Sequence, residues 1–158
     1  MPGQKMPGSI FFVRRVEMAV GRPSRGGGGG GRRPNQGVSP MKVMMLILET
    51  PDDFASRDDG PAAQEYWDAW NSYMKTIDDK VVGGAVLELP ERAATIRVAN
   101  GERQIQDGPW ADSKEALGGY IMFEVDRFED AVELASTCPS ATRGGAVELR
   151  PIRPMPPK

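Results

Sequence analysis

The chain has no histidine and a single cysteine, Cys138, among its 158 residues. A lone thiol cannot close an internal disulfide, and without histidine or a second cysteine the usual ligands of structural zinc are missing. Neither a metal nor a cofactor is expected. The missing imidazole also excludes Ser-His-Asp and Cys-His arrangements, so any catalysis must rest on carboxylates, lysine, tyrosine or backbone groups. Apolar runs are short. None reaches the eighteen residues of a membrane span, and residues 10–13 are too few for the apolar region of a secretory signal, which predicts a soluble, cytoplasmic protein.

What is present is divided unevenly. Residues 1–40 hold seven Lys or Arg against one Glu, leaving thirteen bases against twenty-one acids in residues 41–158. The first stretch is therefore net +6 and the second net −8, although the whole chain sums to −2. Residues 26–31 are an unbroken glycine run between Arg25 and Arg32. Glycine loses the most backbone entropy on ordering and little apolar surface is there to offset it, so a disordered N-terminal extension is expected over residues 1–40. A basic arm for acidic surfaces, an Arg-rich targeting peptide, and a dispensable leader ahead of a true start at Met41 all fit this composition, and the last is favoured. The acidic remainder argues against nucleic-acid binding. The glycine run is no phosphate loop, because no strand precedes it and no Gly-Lys-Ser or Gly-Lys-Thr follows.

Residues 41–152 read as one α+β domain, followed by a proline-rich tail over 153–158. The apolar run 43–48 predicts a buried first strand. Pro61 suits a first helical turn, and Tyr66, Trp70, Tyr73 and Ile77 then recur at helical spacing with Trp67 and Met74 beside them. Such an aromatic stripe serves core or dimer packing more readily than a ligand cage. Gly83 and Gly84 are expected to end that helical segment, before a short strand over 85–89. Asn100-Gly101 between residues 95–98 and 103–106 is a hairpin signal, since that pair accepts positive φ in a two-residue turn. Residues 119–125 predict a central strand. A second helix is expected from Asp126, with Glu129 completing a capping-box-like start, and residues 145–149 form a last strand. This order suits a ferredoxin-like antiparallel sheet with two helices on one face. A second copy would cover the other face, and the expected homodimer would bury Met45, Ile47, Ile121 and Phe123.

The most specific segment is Asp107-Gly108-Pro109-Trp110-Ala111-Asp112-Ser113-Lys114-Glu115, followed by Leu117-Gly118-Gly119-Tyr120. It resembles the DGPFAETKE signature of the DGPF family, part of the wider YCII-related group, with Trp110 for Phe, Asp112 for Glu and Ser113 for Thr. The resemblance implies a dimeric α+β barrel with a cleft between sheet and helices, and in some members an association with sigma factors. YCII-like relatives carry a His-Asp pair proposed as an active site, which a chain without histidine does not reproduce.

From the residues alone, Asp107-Gly108-Pro109 is turn chemistry: the Asp side chain can bond backbone N–H groups, Gly relieves steric limits and Pro fixes φ. Lys114 and Glu115 fit a solvated pair worth about 0–1 kcal/mol. The functional alternative groups Asp107, Lys114, Glu115 and Tyr120 around a small polar ligand. Two roles remain open. One is a non-catalytic binding or accessory module, including one with a sigma-factor-associated partner. The other is a cofactor-independent isomerase or lyase, with Asp107 as general base and Lys114 or Tyr120 stabilising developing negative charge.

Overall fold

The structure, a computed structural model, describes residues 39–58 and 60–156. The disordered extension expected over 1–40 therefore lies, except for its last two residues, outside the described residues.

Strand β1 (Met41–Glu49) alternates strictly, with Val43, Met45, Ile47 and Glu49 buried and the residues between them more open. It lies second from one edge of a four-stranded sheet of order β2-β5-β1-β6, formed with β2 (Val81–Val86), β5 (Ala116–Val125) and β6 (Ala146–Pro151). All three pairings are antiparallel. β1 and β2 thus run parallel with β5 between them, the split arrangement of a ferredoxin-like fold.

Helix α1 (Pro51–Ala55) starts directly after β1. Thr50 caps it: its hydroxyl accepts the Asp53 N–H at 3.2 Å, and the Asp53 carboxylate accepts the Thr50 N–H at 3.2 Å. This reciprocal box holds the chain after β1 in a short helix. Helix α2 (Pro61–Ile77) has Pro61 in its first turn, as expected, and buries Ala63, Tyr66, Tyr73 and Ile77 along one face. Its rings interlock, Tyr66 with Trp67 at 4.9 Å and Trp70 with Tyr73 at 5.9 Å between centroids, both edge-on. That geometry is packing rather than a ligand cage.

Gly83 and Gly84 do not end α2, which stops at Ile77; they lie inside β2. A side chain at Gly84 would meet the backbone carbonyl oxygen of Tyr120 at 2.7 Å, so the strand passes too close to β5 there for anything larger, whereas at Gly83 only the mobile Met122 methyl stands in the way. Helix α3 (Phe128–Ser136) begins one residue later than Asp126 predicts. Arg127 is its cap residue, and Asp130 rather than Glu129 accepts the Arg127 N–H, at 3.2 Å. Helix α4 (Pro139–Thr142) follows Cys138, which is fully buried.

The core joins Val43, Met45, Ile47, Ile121 and Phe123 of the sheet to Tyr73 and Ile77 of α2 and to Ala131 and Ala135 of α3. Both long helices therefore cover one face of the sheet, as expected. The dimer residues named from the sequence are corrected by this register. Met45, Ile47, Ile121 and Phe123 face the chain's own helices. The opposite face carries Met44, Leu46 and Leu48 of β1, with Met122 opposite Met44 and Tyr120 opposite Leu46.

Strands β3 (Ala94–Ala99) and β4 (Glu102–Asp107) form a separate two-stranded sheet instead of joining the main one. Their turn is the predicted one, with Asn100 at φ 53° and Gly101 at φ 80°.

Candidate ligand-binding cleft

Strand alternation carries Glu49 to the core side at the end of β1, where its side chain is only 1% exposed. A carboxylate so buried needs partners, because an unpaired charge in the interior costs far more than folding supplies. Arg57, in the turn after α1, provides the counter-charge through an ion pair from its Nη2. The same guanidinium donates to the Gly118 carbonyl at 2.9 Å and, through Nη1, to the Leu87 carbonyl at 2.7 Å. Its carbon lies 4.5 Å from the centre of the Phe54 ring. The backbone of Arg57 is fixed in turn by the Trp67 indole N–H, which donates to its carbonyl at 2.9 Å. One residue thus ties together α1, α2, the end of β2 and the start of β5.

The second Glu49 oxygen accepts the Tyr66 hydroxyl at 2.5 Å. Burial, and then this bond to a carboxylate, push the Tyr66 phenol well above the ordinary tyrosine range. Tyr66 is therefore a fixed donor and not a base. Gly118 belongs to the same constellation: a side chain there would overlap the Glu49 carboxylate and stand 2.6 Å from Arg57 Nη2. The second glycine-rich element of the motif is thus required by close approach to the ion pair. It also coincides with the register shift between Ile47 and Leu48, where Gly118 has no partner on β1.

Above Glu49 opens a cleft of about 640 Å³. Pro51, Phe54 and Ala55 line one side, Leu89 and Pro90 another, and Gln106, Asp107, Pro109 and Lys114 the third. Its acids besides Glu49 are Asp58, Glu91, Asp107 and Asp112, against the one cation Lys114. The cleft pairs an apolar wall with a rim that is rich in acceptors. A shallower hollow of about 430 Å³ lies between α2 and α4, beside Tyr73, Thr142 and Arg143. There Arg143 is already engaged, 3.7 Å from Asp53 and 3.6 Å from Glu65.

Of the four residues singled out in the sequence, Asp107 and Lys114 meet at this cleft. Glu115 lies just outside its lining, and Tyr120 is on the open face of the sheet, opposite Leu46. Among the described residues no hydrogen bond reaches the Asp107 carboxylate. The turn is held otherwise: Gly108 sits at φ 94°, its N–H donates to the Ala93 carbonyl at 2.8 Å, and its carbonyl accepts the Thr95 hydroxyl at 3.0 Å. Trp110 folds back over the hairpin, with Arg97 4.3 Å above its ring.

The sequence singles out neither Glu49 nor Arg57, and Tyr66 and Gly118 stand in it only as part of a packing stripe and of the motif. Glu49 had a signal, since the alternation of Val43, Met45 and Ile47 places the next odd residue on the core side. Arg57 had none, because its partners lie 8, 30 and 61 residues away in the chain. No group of three or more Cys, Asp or Glu side chains suited to a metal occurs among the described residues. No helix among them is long and apolar enough to cross a membrane.

The model of the YCII-related domain matches residues 41–156 of the chain. An uncharacterised protein of Rhizobium meliloti (strain 1021) is 34% identical over 61 residues, covering 38% of this chain and 49% of that protein. The match thus spans about half the length of that relative. Among solved structures, 5-chloro-2-hydroxyhydroquinone dehydrochlorinase of Burkholderia phenoliruptrix, in complex with 2,5-dihydroxybenzoquinone, is similar with a TM-score of 0.43. Its sequence is 14% identical, over 72% of this chain and 94% of that one.

Proposed function

The chain belongs to the YCII-related domain family, and we propose that it is a cytoplasmic, homodimeric module binding a small polar ligand in the cleft between Phe54 and Lys114. The observation that carries this reading is the unengaged Asp107 carboxylate in a cleft that Lys114 and Glu49 also line. An apolar wall with a few convergent polar groups is the usual make-up of a small-molecule site. The excess of acceptors favours a ligand rich in N–H or O–H donors, with Lys114 meeting an acceptor on it. The sheet face turned away from the helices, with Met44, Leu46, Tyr120 and Met122 half-buried on it, supports the homodimer.

A ligand-observed NMR screen of small polar metabolites tests this reading, run on the wild type and on Lys114→Glu. Compounds that bind the wild type and lose binding in the variant are the expected result. A screen with no binders, or binders indifferent to the variant, overturns it.

The same free carboxylate favours a second reading, a cofactor-independent isomerase or lyase with Asp107 as general base and Lys114 stabilising negative charge. Tyr120 has no part in it from the open face of the sheet. Turnover of a bound compound that is abolished by Asp107→Asn, with binding retained, would select this reading over simple binding.

A further inference from the structure

The charges that line the cleft are unevenly divided. Glu49 is neutralised by its pair with Arg57. What remains is Asp58, Glu91, Asp107 and Asp112 against Lys114, four acids to one base and a net of −3. Residues 41–158 as a whole hold twenty-one acids against thirteen bases, so acid is concentrated in the cleft beyond the bias of the domain. Among the described residues none of these five side chains takes part in an ion pair. A cleft lined by one sign of charge, with low-dielectric walls, focuses its field and concentrates the opposite charge from solution.

Two further features narrow the kind of cation. The carboxylates come from four separate segments: the turn after α1, the turn over Pro90–Arg92, the end of β4 and the loop before β5. Among the described residues no three acids gather closely enough to hold a metal ion. Dispersed acids suit separated positive groups on one molecule better than a single ion. The second feature is the apolar part of the lining, in which Pro51, Phe54, Ala55, Leu89 and Pro90 offer carbon surface to a methylene chain. Lys114, the one unpaired base of the lining, suits an anionic end on the same molecule.

We propose that the ligand of this cleft is an amino acid with a cationic side chain, of the lysine, ornithine or arginine class. Its carboxylate meets Lys114, its two positive groups meet carboxylates of the lining, and its methylenes lie on the Phe54 and Leu89 surface. This inference rests on the ligand-binding reading above and sharpens it. Phosphate esters and dicarboxylates are disfavoured by the net charge of −3, and a neutral ligand leaves the acids uncompensated.

The experiment titrates L-lysine, L-ornithine and L-arginine into the full chain at neutral pH, with calorimetry and ligand-observed NMR as readouts. L-norleucine, which keeps the chain of lysine without its amine, and L-glutamate are the controls. The proteins are wild type, Glu91→Gln/Asp107→Asn and Lys114→Glu. The acid side chains replaced are exposed, so the double variant should keep the wild-type circular dichroism spectrum and melting temperature. Binding of at least one basic amino acid is expected, with norleucine weaker by about tenfold or more for want of its charged contact. The double variant should weaken that binding by about fivefold or more, and added salt should weaken it as well. Lys114→Glu should weaken it through the carboxylate. Norleucine or glutamate binding as tightly as the basic amino acids overturns the proposal, as does binding indifferent to the double variant. If no basic amino acid binds, while neutral or anionic compounds of the metabolite screen bind and are lost in Lys114→Glu, the proposal fails and the ligand-binding reading stands. If that screen yields no binder either, both fall.

Discussion

Glu49 and Arg57 form a buried ion pair beneath the cleft, and the same guanidinium closes onto the carbonyl of Gly118 at 2.9 Å. Removing one partner leaves the other charged and desolvated, which costs about 3–5 kcal/mol when a buried pair is broken from one side. Arg57→Met should therefore unfold at markedly lower urea concentration. Tyr66→Phe, which takes one donor from the carboxylate, should cost about 1.5–3 kcal/mol. Equal midpoints for Arg57→Met and wild type would show that the pair contributes nothing.

Gly118→Ala places a methyl group against the Glu49 carboxylate and 2.6 Å from Arg57 Nη2. Overpacking of this kind costs about 1–3 kcal/mol. The cost should shrink when Glu49 is also shortened to Ala, because the two changes share one volume. Strict additivity in that double-mutant cycle would place the strain elsewhere.

Asp107 and Gly108 separate function from turn structure. The Asp107 carboxylate bonds nothing within the described chain, so Asp107→Asn should leave the unfolding midpoint unchanged. Gly108 sits at φ 94°, and forcing an L side chain into that region costs about 1–2 kcal/mol. Gly108→Ala should therefore destabilise where Asp107→Asn does not, and the reverse order in thermal melts would restore the side-chain-capped turn.

Burial pushes the Cys138 thiol up from 9.0 to about 11, and the Tyr66 and Tyr73 phenols are raised by burial as well. Each group is held protonated by the fold. Below pH 9 both folded and unfolded chains keep these protons and stability is full. As the pH rises toward 11 the unfolded chain releases protons that the folded chain retains, so stability falls. Cys138 alone accounts for about 2–3 kcal/mol of that loss. Urea midpoints at pH 8 and pH 10.5 measure it, and a midpoint that holds or rises contradicts it. At pH 8 the native thiol should react with a disulfide reagent only at the rate of unfolding.

Much of the architecture was legible because it rests on local rules. The aromatic spacing of α2, Pro61 at its start, and Asn100-Gly101 between two short strands each fix their element through nearby residues. The misreadings arose where distant chain decides. Gly83 and Gly84 look like a helix stop, yet they lie within β2, where Gly84 serves the close approach of the strand to the Tyr120 backbone of β5. Met45 and Ile47 read as a dimer face, although alternation alone does not say which side of a strand the helices will cover. The site was half legible: Asp107 and Lys114 announce themselves through the motif. Glu49 hides at the end of an apolar strand, and Arg57 acquires meaning only when the turn after α1 folds beneath β5.

The cleft as the ligand site is tested most directly by amide hydrogen exchange, with and without the tightest-binding compound of a polar-metabolite screen. Slower exchange over residues 49–58, 89–91 and 106–116 on binding is the predicted result, since these segments line the cleft. Protection confined to residues 69–76 and 137–143, around the shallower hollow, would contradict the assignment.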